Sequence, residues 1–276
     1  MISNENGMAA EVSIIIVNYN TGVLLYNCLK SIREHVGLDY EVIVADNNSG
    51  DDSVTRCAQF WSDDRFRLIS IGENLGFSRA NNIAASGATG KIFHFLNPDT
   101  ELAAGMTRDY ITALRNPENV YVNLLMNSDG SLENDRMPVP VLKNIILWNK
   151  DRGKARYWYK GASVIISGYN FRKIGGWCED YFLFSEDLDL FYEIWEHGIP
   201  IKELPAVIYH LGGGSTRAVS SVDREIMVQK SLRLFFRKHY STLQYVLCKL
   251  YYLLHNLVRH PSAVPLYLKA WLGSLR

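Results

Sequence analysis

The chain has 276 residues, enough for one large α/β domain or two modest ones with a core of normal size. A hydrophobic content of 47% and a charged content of 21% indicate a soluble globular protein. No uncharged apolar run reaches the roughly 18 residues that a membrane span requires. The polar N-terminal residues also lack the basic and then apolar order of a secretory signal.

The net charge is zero, but the charges are distributed unevenly. No acidic residue follows Glu225, whereas eight of the 29 lysines and arginines do, so the first 225 residues carry a net charge of −8. The four cysteines are scattered and form no pair with the spacing of a zinc or redox motif. Such cysteines are typical of a reduced compartment, so we expect an intracellular, cytoplasmic protein.

The first hundred residues alternate between predicted strands and helices. VSIIIVNYN (residues 12–20) is a β-branched run typical of a strand buried on both faces, and a helix is expected over 24–35. A second strand over 42–45, a third in FRLISI and a fourth in KIFHFLNPDT follow, with a small-residue helix behind Gly76 and a helix in ELAAGMTRDYITALR. This alternation predicts right-handed βαβ units and a doubly wound, mostly parallel sheet.

Polar residues cluster where these predicted strands end. They are found at positions 18–20 and 46–48 and at Asn97 with Asp99. Ligands of such sheets bind outside the carboxyl ends of the strands, so the clusters mark a candidate site.

The second half of the chain has weaker patterns at first. Residues 119–156 read as an irregular segment with a turn at 128–131 and a mobile loop around Pro138 and Pro140. A strand in YWYKGASVIIS, a short helix with a glycine stop in GYNFRKIGGW and a last strand in IKELPAVIYH are predicted, followed by a flexible GGGSTR loop.

Asp99 and His210 are candidates for a metal site. Asp99 lies in a fixed turn after a strand, and His210 ends another strand; a divalent cation held by oxygen ligands and one imidazole would suit both. Each also has an ordinary interpretation, Asp99 as a turn acid and His210 as a structural histidine.

Asp46 ends the second strand, where its carboxylate could accept from a ribose hydroxyl or a base N–H, or form an Asx turn. Arg79 on the next helix could contact a phosphate or only solvent. The chain has no GxGxxG fingerprint and no Walker lysine loop.

The segment YFLFSEDLDLFYEIWEHG begins a helix with three acids, for which Ser185 is the expected N-cap. Helical periodicity places Asp187 on the apolar flank, between Phe191 and Ile194, where a carboxylate is costly without a partner or a task. The remaining acids share one arc, predicted to be a solvated face: Glu186, Asp189, Glu193 and Glu196.

Taken together, these motifs resemble the inverting nucleotide-sugar glycosyltransferases of family 2, which have the GT-A fold. VSIIIVNYN, VIVADNNSGDDS, GENLGFSRANNIA, FLNPDT, KGASVIIS, GGWCEDYFLFSEDLDL and YHLGG occur in that family's order across residues 12–215. The pattern is most similar to bacterial rhamnosyltransferases that build O-antigen or other cell-surface polysaccharide.

The resemblance implies a function for most of the polar clusters. Nucleotide-sugar binding would involve Asn18, Tyr19, Asn20, Asp46, Asn48, Arg79, Asn97 and Asp99. Asp99 and His210 would hold Mn²⁺ or Mg²⁺, although Asn97 stands where many relatives carry the first metal aspartate. The acceptor would contact Trp177, Glu186, Gly161 and Ala162.

For an inverting transfer, the resemblance places the acidic pair at the acceptor. Asp187 is the candidate base that removes the proton of the acceptor hydroxyl, because partial burial would lift its pKa towards the working pH. Glu186 would hold the acceptor hydroxyls, and Asp189 would only support the helix.

Two units are therefore expected: a GT-A domain over residues 1–217 and a basic amphipathic helical tail over 218–276. The tail either packs on the domain or lies at the inner face of the cytoplasmic membrane, near a lipid-linked acceptor. Nucleic acid is not an expected partner, since the main domain is acidic. The expected reaction transfers rhamnose from dTDP-rhamnose; the alternatives are a UDP-sugar donor or a catalytically silent, nucleotide-sugar-binding member.

Overall fold

The computed structural model describes residues 10–133, 136–212 and 220–274. The strands are β1 (Val12–Asn18), β2 (Tyr40–Asp46), β3 (Phe66–Ser70), β4 (Ile92–Leu96), β5 (Thr100–Leu102), β6 (Val120–Met126), β7 (Met137–Pro138), β8 (Tyr157–Trp158), β9 (Ser163–Ser167) and β10 (Ile201–His210). The helices are α1 (Val23–His35), α2 (Ser53–Arg56), α3 (Phe77–Ser86), α4 (Met106–Arg115), α5 (Leu142–Lys150), α6 (Gly168–Lys173), α7 (Glu186–Glu196), α8 (Ser221–His239), α9 (Thr242–Arg259) and α10 (Val264–Gly273).

A single sheet of eight strands forms the centre of the molecule, in the order β3-β2-β1-β4-β9-β6-β10-β5. Six strands run in one direction, while β9 and β5 are antiparallel to their neighbours. The predicted mostly parallel α/β sheet is thus confirmed. The carboxyl ends of the six parallel strands meet at one edge.

Strand β1 shows why the sheet lies in the middle. Its apolar side chains alternate between two cores: Ile14 and Ile16 pack on the side of α1, and Ile15 and Val17 pack on the side of α3. A strand covered on both faces needs apolar residues on both sides, and VSIIIV supplies them at every position except Ser13, whose hydroxyl donates to Glu41.

The prediction of an irregular segment over 119–156 is wrong. Val120–Met126 forms β6, which lies between β9 and β10 in the middle of the sheet, and Leu142–Lys150 forms α5. The proposed mobile loop instead contributes strand β7, and Val139 and Pro140 are buried.

The helix predicted from ELAAGMTRDYITALR begins later than expected. Thr100–Leu102 is an edge strand whose Leu102 N–H donates to Ser31 Oγ at 2.9 Å. Gly105 then adopts a left-handed conformation with φ of 108°, and α4 starts at Met106. A left-handed residue cannot belong to a right-handed helix, so the glycine separates the two elements.

The predicted C-terminal helical extension is present as α8, α9 and α10, and α8 packs against α7. Phe235 and Phe236 of α8 are buried in one cluster with Leu188 and Tyr192 of α7. The predicted boundary at 217/218 and most of the GGGSTR loop lie outside the described residues. In the part of the chain that the structure describes, no helix is both long and apolar enough to cross a membrane.

Candidate active site

Strands β1 and β2 end side by side, and their terminal polar residues are hydrogen-bonded to each other. Asn18 pairs in register with Asp46, and Asn18 Nδ2 donates to Asp46 Oδ1 at 2.7 Å. Asp46 Oδ2 accepts from the Ser49 N–H at 3.0 Å, so its carboxylate closes the following turn. Both side chains are buried and engaged within the protein.

The other residues predicted to contact the nucleotide from these loops are less enclosed. Asn20 and Asn48 are exposed and have left-handed backbones, with φ of 53° and 65°. Arg79 is also exposed, and its Nε lies 3.8 Å from Glu179. Tyr19 differs from these three because it lines the cavity described next.

A cavity of about 930 Å³ lies at the carboxyl edge of the sheet. Among the described residues, eight of the predicted site residues line it: Tyr19, Asn97, Asp99, Gly161, Ala162, Glu186, Asp187 and His210. Its lining does not include Asn18, Asn20, Asp46, Asn48, Arg79 or Trp177. The structure therefore brings the candidate base, acceptor residues and metal ligands to one space.

Asp187 is held by two backbone N–H groups. Its Oδ1 accepts from Leu188 at 2.8 Å, and its Oδ2 accepts from Gly161 at 3.2 Å. A Cβ on Gly161 would lie only 3.1 Å from Asp187 Cβ and 3.4 Å from the Trp177 ring. Because Gly161 has no side chain, the turn before β9 can approach the carboxylate closely. Buried Trp177 packs behind Gly161 and does not line the cavity.

The expected capping bond from Ser185 is absent. Ser185 does precede α7, but it has a left-handed φ of 62° and its side chain makes no capping hydrogen bond. The first turn uses the Asp187 carboxylate instead, which bonds the N–H of Leu188.

Glu186 and Asp187 are neighbouring acids at the wall of the cavity, and burial raises the pKa of both. Burial, followed by the negative charge of Asp187, raises the pKa of Glu186. Burial also raises the pKa of Asp187, but the N–H groups of Leu188 and Gly161 oppose this. Glu186 Oε2 is buried and has no hydrogen-bond partner in the described part of the chain. Asp187 is therefore the member better able to carry the charge.

The prediction of a solvated acidic face on α7 is wrong at two of its four positions, since Glu186 and Asp189 are buried. Asp189 accepts from Lys238 Nζ at 2.8 Å and lies 2.6 Å from His239 Nε2, both on α8. Glu193 is 3.1 Å from the same Lys238 Nζ. The ligand atoms of Asp189, Glu193 and His239 are close enough for a cation, but the Lys238 ammonium already supplies the positive charge there.

His210 lies between two carboxylates on the other wall of the cavity. Its Nδ1 is 2.6 Å from Glu133 Oε2, and its Nε2 is 3.4 Å from Asp99 Oδ1. Burial would lower the pKa of His210, but the hydrogen bonds with Asp99 and Glu133 raise it to about 9. Burial would raise the pKa of Glu133, yet His210 and Lys160 lower it to about 2.

This wall has the donor chemistry that a divalent cation needs. Asp99 Oδ1 lies beside His210 Nε2, so a carboxylate oxygen and an imidazole nitrogen can face one ion, while Glu133 contacts the opposite ring nitrogen and would orient the imidazole. Asn97 Oδ1 lines the same cavity and is buried without a hydrogen-bond partner among the described residues. Replacing the family's first aspartate by Asn97 thus keeps an oxygen ligand and removes one charge, and the set fits Mn²⁺ or Mg²⁺.

Sequence reasoning missed Glu133 and its partner Lys160. The turn at 127–131 folds the chain back so that the Glu133 N–H donates to Leu125 O of β6 at 2.9 Å. The sequence did contain a signal for Glu133, the β-branched start of VYVNLLM, which predicts strand β6. Had β6 been predicted, Glu133 would have been placed near its carboxyl end, at the same edge of the sheet as His210.

The model of the family described as Glycosyl transferase family 2 matches residues 13–175. The chain belongs to this family. This family 2 protein is 29% identical over 128 residues to the GalNAc(5)-diNAcBac-PP-undecaprenol beta-1,3-glucosyltransferase of Campylobacter jejuni, an alignment covering 45% of the chain and 41% of that enzyme. The chain spans between 16% and 66% of the length of the curated relatives that it matches.

Solved structures agree on the fold. S. aureus TarS in complex with UDP-GlcNAc matches with a TM-score of 0.59 at 13% identity, covering 96% of this chain and 82% of that one. GalNAc-T7 with UDP, GalNAc and Mn²⁺ matches with a TM-score of 0.62 at 15% identity, covering 83% and 48%. The predicted GT-A fold is confirmed.

Proposed function

We propose that this family 2 protein is an inverting glycosyltransferase that moves a hexose from a nucleotide-sugar to a hydroxyl of a lipid-linked saccharide. One observation carries the proposal: an acidic pair, Glu186 and Asp187, and a candidate cation wall, Asp99 and His210, line the same cavity. A transfer between two substrates needs a proton acceptor and a site for the leaving diphosphate in one space.

In the reaction, Asp187 takes the proton of the acceptor hydroxyl as its oxygen attacks the anomeric carbon. The bond between that carbon and the diphosphate breaks on the opposite face, and the diphosphate oxygen leaves with the electron pair. Inversion follows from this single displacement. Glu186, Gly161 and Ala162 contact the acceptor, and Trp177 positions Asp187 through Gly161.

The donor lies on the other side of the cavity. Tyr19, Asn97 and Asp99 line it and contact the nucleotide-sugar directly. Asn18 and Asp46 act by fixing the two loops that carry Asn20 and Asn48, and exposed Arg79 is available to a phosphate. A bound Mn²⁺ or Mg²⁺ on Asp99 and His210 would neutralise the leaving diphosphate as a Lewis acid.

We propose that the donor is dTDP-rhamnose, which supplies rhamnose. The proposed acceptor is a lipid-linked glycan of O-antigen or other cell-surface polysaccharide synthesis. The name of the Campylobacter relative, which joins its saccharide acceptor through PP to undecaprenol, supports the lipid-linked class. The TarS complex supports a UDP-sugar as the alternative donor. Asn97 is neutral where many relatives carry an aspartate. This difference supports the second candidate function, a catalytically silent family member that binds nucleotide-sugar.

A thermal-shift screen of dTDP- and UDP-sugars with Mn²⁺ tests the donor site. The right donor should raise the melting temperature in proportion to RT ln(1 + [L]/Kd), and a chelator should remove both the shift and slow donor hydrolysis. Asp99→Asn should require more Mn²⁺ for the same shift, whereas Asp64→Asn, an exposed turn acid outside the cavity lining, should not. A chelator that leaves hydrolysis unchanged would contradict the metal-assisted mechanism, and binding without turnover, even with acceptor, would favour the silent member.

The outer face of α9 supports contact with the inner face of the cytoplasmic membrane. Its exposed apolar residues recur at helical spacing: Leu243, Leu247, Leu250, Leu254, Leu257 and Val258. Exposed cations of the tail, such as Arg259 and Lys269, would meet anionic headgroups.

Flotation with anionic vesicles tests this contact. The triple variant Leu250→Ser, Leu254→Ser and Leu257→Ser should remain unbound while the wild type floats, because it loses three of the six exposed apolar residues of this face. Leu132→Ser, an exposed leucine 63% accessible on another part of the molecule, is the matched control and should float normally. Equal flotation of the triple variant would rule out α9 as the membrane-binding face.

A further inference from the structure

The cavity continues past the acidic pair into the C-terminal helices. We name this part the tail arm; its lining residues are Met227, Gln229, Leu232, Lys249, Tyr252 and Tyr267, from α8, α9 and α10. Apart from Gln229 and Lys249 these side chains are apolar or aromatic. A transferase that acted only on a nucleotide-sugar and a free sugar would have no use for such a surface.

Lys249 is the unusual residue of the tail arm. It is 1% exposed, and its ammonium faces the rings of Tyr245 and Tyr267 at 5.2 and 5.7 Å. Its Nζ donates to Gln229 Oε1. Within the described ranges, no carboxylate lies within salt-bridge distance of this ammonium. Burial lowers the pKa of Lys249 to about 8, and a bound anion would raise it again by favouring the charged form.

The nearest acid reaches Lys249 only through another side chain. Glu225 Oε1 accepts from Gln229 Nε2 at 2.6 Å, and Gln229 then presents its oxygen to Lys249. A neutral side chain with an N–H or O–H group would donate to Gln229 Oε1 equally well. A purely structural role for residue 249 therefore does not require a cation. A buried charge with no ion partner costs stability, which indicates a binding role instead.

We propose that Lys249 binds the phosphate of an amphipathic acceptor, a phosphate ester carried on a hydrocarbon chain, with that chain packed along Met227, Leu232 and Tyr252. The inference rests on the proposed function, since it names the acceptor that would reach Glu186 and Asp187 in the same cavity. The charge of the ammonium matches the phosphate, and the apolar walls match the chain.

Binding of farnesyl phosphate, farnesol and inorganic phosphate to the full chain tests the proposal, with titration calorimetry as the readout. Lys249→Met keeps the length of the side chain and removes its charge, so it should weaken farnesyl phosphate about tenfold or more and leave farnesol unchanged. Lys230→Met, on the exposed side of α8, is the matched control and should bind all probes like the wild type. Inorganic phosphate alone should bind far more weakly than farnesyl phosphate.

Met227→Trp provides a second test that leaves the charge in place. Filling the tail arm should weaken both farnesol and farnesyl phosphate. Unchanged farnesyl phosphate binding by Lys249→Met, or by Met227→Trp, would overturn the proposal, as would equally tight binding of inorganic phosphate. Donor binding and hydrolysis, measured on the same variants, should stay normal; their absence in the wild type would count against the proposed function and not against the tail arm.

Discussion

Replacing Asp187 by Asn should lower the rate of glycosyl transfer by about 10²–10⁴-fold, the usual contribution of a general base. The amide keeps the shape of the carboxylate, and its one oxygen can still accept from the Gly161 N–H, although the bond from Leu188 is lost; nucleotide-sugar affinity, which depends on the other wall of the cavity, should not change. Single-turnover transfer and donor binding, measured on the same preparation, separate the two effects.

Glu186→Gln is the matched control for this prediction. It removes a carboxyl group that would contact the acceptor and leaves the candidate base in place, so it should lower transfer less, chiefly through the acceptor KM. An Asp187→Asn variant that retains more than about a tenth of the wild-type rate would move the base to Glu186.

The pH profile provides an independent check on the same base. Asp187 must be deprotonated to act, and its pKa is raised by burial, so the rate should rise with pH along a limb that lies above the ordinary value of about 4 for an aspartate. Glu186→Gln should leave the limb close to its wild-type position, because Glu186 has the higher pKa of the two and is neutral when Asp187 ionises. A wild-type rate that is already constant at pH 5 would contradict an elevated pKa.

Replacing Asp189 by Asn should destabilise the fold by about 3 kcal/mol, the lower end for breaking a buried ion pair. Asp189 is 1% exposed and is the partner of both Lys238 and His239; in the variant His239 loses this carboxylate, and Lys238 keeps only Glu193 at 3.1 Å. The side chain of Lys238 is 34% exposed, so water offsets part of the loss. For a chain of this size the melting temperature should fall by roughly 6–12 °C.

Glu196→Gln on the same helix is the control. Glu196 pairs with Arg156 at the surface, where both side chains are more than two fifths exposed, and such pairs contribute under about 1 kcal/mol. Similar melting temperatures for the two variants would show that Asp189 does not stabilise the join between α7 and α8.

Sequence reasoning recovered most readily the strands that are buried on both faces, β1, β2 and β4, and it also recovered the partly exposed β3 and β10. β1, β2, β3, β4 and β10 were predicted in their correct places, and so were the polar ends that they bring to one edge. β6 was missed because a turn-rich segment and two prolines, Pro138 and Pro140, follow it directly and made the whole region read as irregular. The reversed direction of β9 could not be predicted, because hydrophobic periodicity gives the buried faces of a strand and not its direction.

The candidate site was predicted less completely, for a related reason. Periodicity placed Asp187 on the flank of α7 that faces the cavity, but it assigned Asp189 to solvent because it does not show which distant segment covers a helix. Lys238 and His239 come from 49 and 50 residues further along the chain. Glu133 was missed because its position depends on the turn that returns it to the end of β6.

The anchoring of Asp189 has a consequence for chimaeric enzymes. Acceptor choice could be altered by grafting the C-terminal helices of a relative onto this chain, since they contribute the tail arm. The join with α7, however, is made by Lys238 and His239, and a graft that lacks equivalents would leave Asp189 charged and buried beside the candidate base. A graft that carries equivalents of Lys238 and His239 should therefore transfer acceptor specificity, and one without them should destabilise the fold and lose activity.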